Sequence, residues 1–143
     1  MNISPESYAE ICKQEAFISA LIAGFSFAFI GVLLVSAINK RIVDWILGFS
    51  ITSISGLLLC SMMWTLSAAR MAYYIGVGVT EVPVKFINLH KTLSAVFSLS
   101  FFLFLITLGL CGWIRSKRLG IVSAIISLIS IIYFIITMRN FVL

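Results

Sequence analysis

Serines are the residues of this chain whose type and spacing suit chemistry in an apolar environment. Ser123, Ser127 and Ser130 follow one another at intervals of four and three, which places their hydroxyls on one face of a helix. Such hydroxyls serve either interhelical hydrogen bonding and packing or the lining of a wet pathway. The spacing alone leaves both alternatives open.

No ionisable side chain accompanies these hydroxyls. Asp, Glu, Lys, Arg and His are all absent from four long apolar stretches, 16–38, 45–69, 92–114 and 119–138. Proton relays and charge-selective filters depend on such groups within the membrane, so the pattern argues against a proton-coupled exporter. A serine without an embedded base also lacks an activator for nucleophilic catalysis, and we expect no enzymatic activity.

Metal and thiol chemistry have little support in the sequence. His90 is the single histidine, and no cluster of further ligands surrounds it in the sequence, so we expect an interfacial, solvated imidazole and no metal. Cys12, Cys60 and Cys111 form no C-x-x-C pair, which favours packing between helices over redox exchange. We expect no cofactor.

Four membrane-spanning helices are the elements that must position these residues. The chain has 143 residues, of which 62% are hydrophobic and 10% charged, and its mean hydropathy is +1.17. Soluble domains are about 45–50% apolar and about 25% charged. Each apolar stretch is long enough to cross about 30 Å of hydrocarbon. We therefore predict an all-α integral membrane protein, a single domain with four transmembrane helices in an up-down bundle.

Two segments of some length lie outside the predicted spans. The N-terminal tail, 1–15, has helix-start chemistry in Ser4, Pro5 and Glu6, which predicts a helical lead-in to the first span. The middle connector, 70–91, is interrupted by glycine and proline, which predicts a helical hairpin that projects from the bilayer. Candidate contacts with a partner or interface in this connector are Tyr73, Tyr74, Glu81, Lys85 and His90.

The first span carries small residues at helical intervals. Ala20, Gly24, Ala28 and Gly31 recur every three or four positions, where a second helix backbone can approach closely. These residues are the candidates for helix packing or for facing a pore, together with the serines of the fourth span. The span is thus a candidate assembly helix.

The charge distribution suits contact with the membrane surface but says little about the orientation of the chain across the membrane. The net charge is +5, from 10 Lys and Arg against 5 Asp and Glu, and in so apolar a chain the excess suits lipid headgroups and topology rather than nucleic acid. Basic residues divide five against five between the two sides. Their concentration in two short loops favours a cytoplasmic position for those loops, in a plasma or inner membrane.

The first span resembles the pore helix of Orai-type calcium channels. The matching residues are Ala20, Leu21, Gly24 and Phe25, with weaker similarity at Phe49 and Ser50 and from His90 through Leu93, Phe97 and Ser98 to Cys111 and Trp113. The resemblance implies four-span subunits in a ring, with the first helix lining a pore. The glutamate of that family's selectivity filter falls at Val32 here, so the resemblance implies architecture and not calcium selectivity.

Three functions remain open at this stage. The first is a homo-oligomeric pore or channel-like assembly in the bilayer, with the first helix at its interface or centre. The second is a non-conducting anchor or regulatory subunit that binds a protein partner through the connector. A small transporter is the third and has the least support, because coupling carboxylates are absent from the spans.

Overall fold

Four α-helices make up the protein. The computed structural model describes the backbone of residues 4–35 and 40–142 and the side chains of 4–32, 43–114 and 116–136. The helices are α1 (Pro5–Val35), α2 (Lys40–Gly76), α3 (Val84–Arg115) and α4 (Lys117–Val142). No strand occurs within the described ranges. The prediction of an all-α fold with four helices is confirmed; the end of the first predicted span, 36–38, lies outside the described residues.

All four helices are long and apolar enough to cross a membrane, consistent with a multi-pass membrane protein. The first three exceed what a bilayer requires. With 31, 37 and 32 residues, they run for about 46–56 Å at 1.5 Å per residue. Most of the surplus lies at one end, in residues 5–15, 70–76 and 84–91. We call this the extended end.

The boundaries of the helices at the extended end have local causes. α1 begins at Pro5, and the Ser4 hydroxyl accepts a hydrogen bond from the Ser7 amide at 3.2 Å, as an N-cap does. The helical lead-in is therefore confirmed. α2 ends at Gly76, and Gly78 takes a left-handed conformation with φ of 84°, which glycine adopts without strain. Pro83 immediately precedes the first residue of α3.

Each helix packs on the next one in the chain: α1 on α2, α2 on α3 and α3 on α4. Hydrogen bonds from two serine hydroxyls show that α3 and α4 are antiparallel. Ser123 donates to the carbonyl of Gly109, while Ser127, one turn later, donates to Leu105, one turn earlier. The helices thus form a row in chain order, and at the extended end α1 also reaches α3 through Tyr8.

Glycine allows the closest of these approaches. A Cβ at Gly112 would meet the Ser123 hydroxyl and the backbone of Leu119, and a Cβ at Gly109 would lie 3.1 Å from Ser127 Cβ. These two glycines therefore set the short separation of α3 and α4.

Candidate functional site

A cluster of buried side chains lies towards the extended end, where α1, α2 and α3 meet. Trp64 of α2 is at its centre, with 1% of its surface exposed. The other buried members are small or apolar. They are Tyr8, Ala9, Cys12 and Ala16 of α1, Cys60, Ala68 and Met71 of α2, and Leu93 of α3. We call this group the three-helix cluster.

An acid and a base face each other at the edge of this cluster. His90 Nδ1 lies 3.5 Å from Glu15 Oε2, and the two side chains are 25% and 30% exposed. Neither of these two atoms is exposed, and neither has a hydrogen-bond partner among the described residues. Burial raises the pKa of the Glu15 carboxyl to about 7 and lowers the pKa of the His90 imidazole below its usual value. The imidazole is therefore largely neutral at pH 7, and the contact is not a salt bridge between two charged groups.

Aromatic rings surround the imidazole. The ring of Tyr8 lies 5.7 Å from that of His90, and the ring of Trp64 lies 6.2 Å away on the α2 side. Tyr8 Oη also donates a hydrogen bond of 3.0 Å to the carbonyl of Phe86. The indole N–H of Trp64 has no partner in the described part of the chain. The pair therefore lies beside aromatic rings, in largely apolar surroundings.

The cysteines are not arranged for metal binding or disulfide exchange. All three are free thiols, and Cys12 and Cys60 are fully buried. Cys60 Sγ contacts the carbonyl of Leu93 at 3.5 Å, and Cys111 Sγ contacts that of Thr107 at 2.8 Å. Within the described residues, no three Cys, His, Asp or Glu side chains converge as a metal site.

The structure separates the connector residues that the sequence grouped together. Tyr74 packs against the three-helix cluster, with its ring 5.8 Å from Phe86. Tyr73, Glu81 and Lys85 are exposed. His90 was expected to be solvated but is half-buried, because α1 continues below the predicted span and brings Glu15 over it.

The small residues of α1 form two distinct faces. Ala20, Gly24, Ala28 and Gly31 are all exposed, and a Cβ at Gly24 or Gly31 would meet nothing within 4 Å. The face that packs inside the subunit is different. It consists of Cys12, Ala16, Ser19, Ala23 and Ser26.

A groove with a volume of about 460 Å³ lies on the surface between α1 and α2, beside the exposed face of α1. Its lining is mostly small, and Ala20 belongs both to the groove and to the exposed face. Phe17 lies along it and Lys13 is at one end, where its ammonium is 3.4 Å from Glu10.

The serines of α4 lie mainly on the α3 side. Ser123 and Ser127 donate hydrogen bonds of 2.8 and 2.6 Å to α3 carbonyls. The Ser130 hydroxyl instead donates to Ile126 of its own helix at 2.9 Å. The first two geometries are those of interhelical packing.

Sequence reasoning missed the Glu15–His90 pair. The two residues are distant in the chain, but Glu15 directly precedes the first predicted span and His90 lies two residues before the third, on the same predicted side of the membrane. Their similar depth was the available signal. No known protein family, curated protein or solved structure is found to match this chain.

Proposed function

We propose that this protein is a four-span membrane subunit that assembles with copies of itself into a channel-like ring, with α1 at the interface between copies. The observation that carries the proposal is the second small-residue face of α1. One face of the helix packs inside the subunit, and the other presents Gly24 and Gly31 with open space in front of them.

Small side chains that face lipid contribute little to stability, since they make little contact surface with the lipid tails. In membranes they are enriched where two helix backbones approach closely, because van der Waals packing replaces the hydrophobic effect as the driving force. The exposed face of α1 has this character over about three turns. The groove beside it extends the same surface onto α2.

The row of helices suits a ring. α1 is at one end of the row and α4 at the other, so either terminal helix is free to face a neighbouring copy. We place α1 towards the central axis and α4 towards lipid. Large apolar side chains cover the exposed surface of α4, as lipid contact requires. The resemblance of the first span to Orai-type pore helices supports the same order.

A pore lined by α1 in this way has no charged filter. The span contains no carboxylate, and Val32, where the resemblance would place one, is an exposed valine. Apolar constrictions gate by dewetting, so we expect weak ion selectivity and a strong response to polar substitution.

Crosslinking in membranes tests the assembly. Gly24→Leu should abolish crosslinked oligomers by filling the space between α1 helices, whereas Gly48→Leu on α2, where a Cβ also meets nothing within 4 Å, should leave them intact. Unchanged oligomers in Gly24→Leu contradict assembly through α1. Ion flux into liposomes tests conduction separately, and its absence under every ionic condition removes the channel.

The extended end supports a second candidate, a non-conducting subunit that binds a protein partner. Tyr73 is 71% exposed, and Val77 and Val84 beside it are exposed as well. An apolar hairpin tip outside the predicted spans suits a protein contact. Tyr73→Ser with loss of a copurifying partner, and no flux from the wild type, would favour this function.

A further inference from the structure

A pocket that contains an arginine adjoins the groove between α1 and α2. This pocket has a volume of about 410 Å³ and is lined by Leu66, Ala69, Arg70, Tyr73 and Tyr74. Ala69 belongs to the lining of the groove as well, so the two surfaces meet at that residue. Together they form one elongated site within a single subunit, with an apolar part and a cationic part.

The groove is suited to an apolar occupant. Its hydroxyl residues are Ser61 and Thr65, and both hydroxyls already donate hydrogen bonds, Ser61 to the carbonyl of Ala16 at 3.0 Å and Thr65 to that of Ser61 at 2.8 Å. Apart from Lys13 at one end, the rest of the lining consists of alanines and Phe17. A polar solute would lose its hydrogen bonds to water here without compensation, whereas a hydrocarbon chain has none to lose.

The length of the groove matches one leaflet of a bilayer. Its lining extends along α2 from Ser61 to Ala72, which is about 16 Å at 1.5 Å per residue. The hydrocarbon core of a bilayer is about 30 Å thick, so one leaflet supplies about 15 Å of it. A lipid acyl chain can therefore lie along the groove over most of its length.

The cationic part of the site lies at the predicted membrane surface. Arg70 directly follows the second predicted span, and among the described residues it forms no ion pair with a carboxylate. Lys13 is 3.4 Å from Glu10, but both side chains are exposed, and such pairs are weak. Tyr73 and Tyr74 lie beside Arg70, and tyrosine is enriched at the level of lipid headgroups. This part therefore suits the phosphate of a lipid.

We propose that the site binds an anionic phospholipid, with one acyl chain in the groove between α1 and α2 and its phosphate beside Arg70. Arg70 provides most of the preference for a negative headgroup, and Lys13 contributes less because its charge is shared with Glu10. Gly24 and Gly31 are not part of the lining. Lipid binding is therefore independent of assembly through α1 and of conduction.

Native mass spectrometry of the full chain in detergent micelles tests the headgroup preference. The protein is titrated with phosphatidylglycerol or with phosphatidylcholine of the same acyl chains, and the first phosphatidylglycerol should bind at least roughly fivefold more tightly. Arg70→Gln should lose roughly fivefold in affinity for phosphatidylglycerol, the factor for one basic residue at an anionic surface, and bind phosphatidylcholine as before. Arg70→Lys should keep most of the preference.

Lys91→Gln is the matched control for charge. Lys91 is exposed, lies near the same predicted membrane surface and lines neither the groove nor the pocket, so this variant should bind both lipids like the wild type. Ala69→Phe tests the groove, because a ring at the junction should remove the first binding step for both lipids. Ala95→Phe, at an exposed alanine of α3 outside the site, should leave that step intact.

Equal affinity of the wild type for the two lipids overturns the proposal, as does a Lys91→Gln variant that loses as much as Arg70→Gln. Glycerol phosphate has the anionic group without a chain, and its displacement of the lipid at equal concentration would mean an anion site that does not use the groove. Ala69→Phe that loses crosslinked oligomers but keeps lipid binding would place a second copy in the groove. Either result overturns the lipid site. Gly24→Leu should keep the full preference for phosphatidylglycerol, which separates failure of assembly from failure of this site.

Discussion

Gly112 is where a single methyl group should reveal how closely α3 and α4 are packed. An alanine Cβ at this position would meet the Ser123 hydroxyl and the carbonyl of Leu119. A hydroxyl can rotate away, whereas a backbone carbonyl moves only if the helix moves. Overpacking of this kind costs about 1–3 kcal/mol, and the backbone contact places Gly112→Ala in the upper half of that range.

The matched control is Gly48→Ala on α2. Nothing lies within 4 Å of a Cβ there, so the higher helix propensity of alanine should leave stability unchanged or raise it by up to about 1 kcal/mol. Both variants are unfolded in mixed micelles by titration with SDS and followed by circular dichroism. Gly112→Ala should unfold at a clearly lower SDS fraction than Gly48→Ala.

Equal unfolding midpoints for these two variants would refute the close approach of α3 and α4. The double variant Gly112→Ala, Ser123→Ala separates the two clashes. It should recover only part of the loss, because the Leu119 carbonyl remains. Full recovery would mean that the serine hydroxyl, and not the backbone, limits the helix separation.

Two further substitutions, each with a matched control, test other contacts in the same unfolding assay. Ser127→Ala should lower the free energy of unfolding by about 0.6–2 kcal/mol, because its hydrogen bond to α3 is lost. Ser130→Ala, whose hydroxyl bonds within its own helix, should change it by less than about 0.5 kcal/mol. Equal effects would contradict the interhelical role of Ser127. Trp64→Ala should cost about 3–5 kcal/mol because the indole fills the three-helix cluster, and Trp45→Ala, whose indole is 63% exposed, should cost far less. Comparable losses at the two tryptophans would mean that the cluster does not stabilise the fold.

The helices were predictable from composition and length, because a charge-free apolar run of twenty residues has few other stable states in a membrane. Ser4 and Pro5 likewise marked the start of α1 through local chemistry. These features depend on residues that are adjacent in sequence, which is why the sequence alone was sufficient.

The packing of the helices could not be predicted from the sequence and is seen only in the structure. Both faces of α1 carry small residues at intervals of three and four, so spacing did not distinguish the face of Cys12 and Ser19 from that of Ala20 and Gly24. In the structure, α1 is rotated so that Tyr8, Cys12 and Ala16 join the buried cluster around Trp64. The pairing of Glu15 with His90 follows from that rotation.

The arrangement of the helices as a row in chain order has a consequence for how the protein is made. Within the described residues, extensive contacts join only helices that are neighbours in the sequence. Each antiparallel pair is therefore complete as soon as its second helix leaves the ribosome, and no helix waits for a distant partner. Such local topologies fold fast. We expect α1–α3 to reach their native packing before α4 is synthesised, with the contacts from Ser123 and Ser127 forming last.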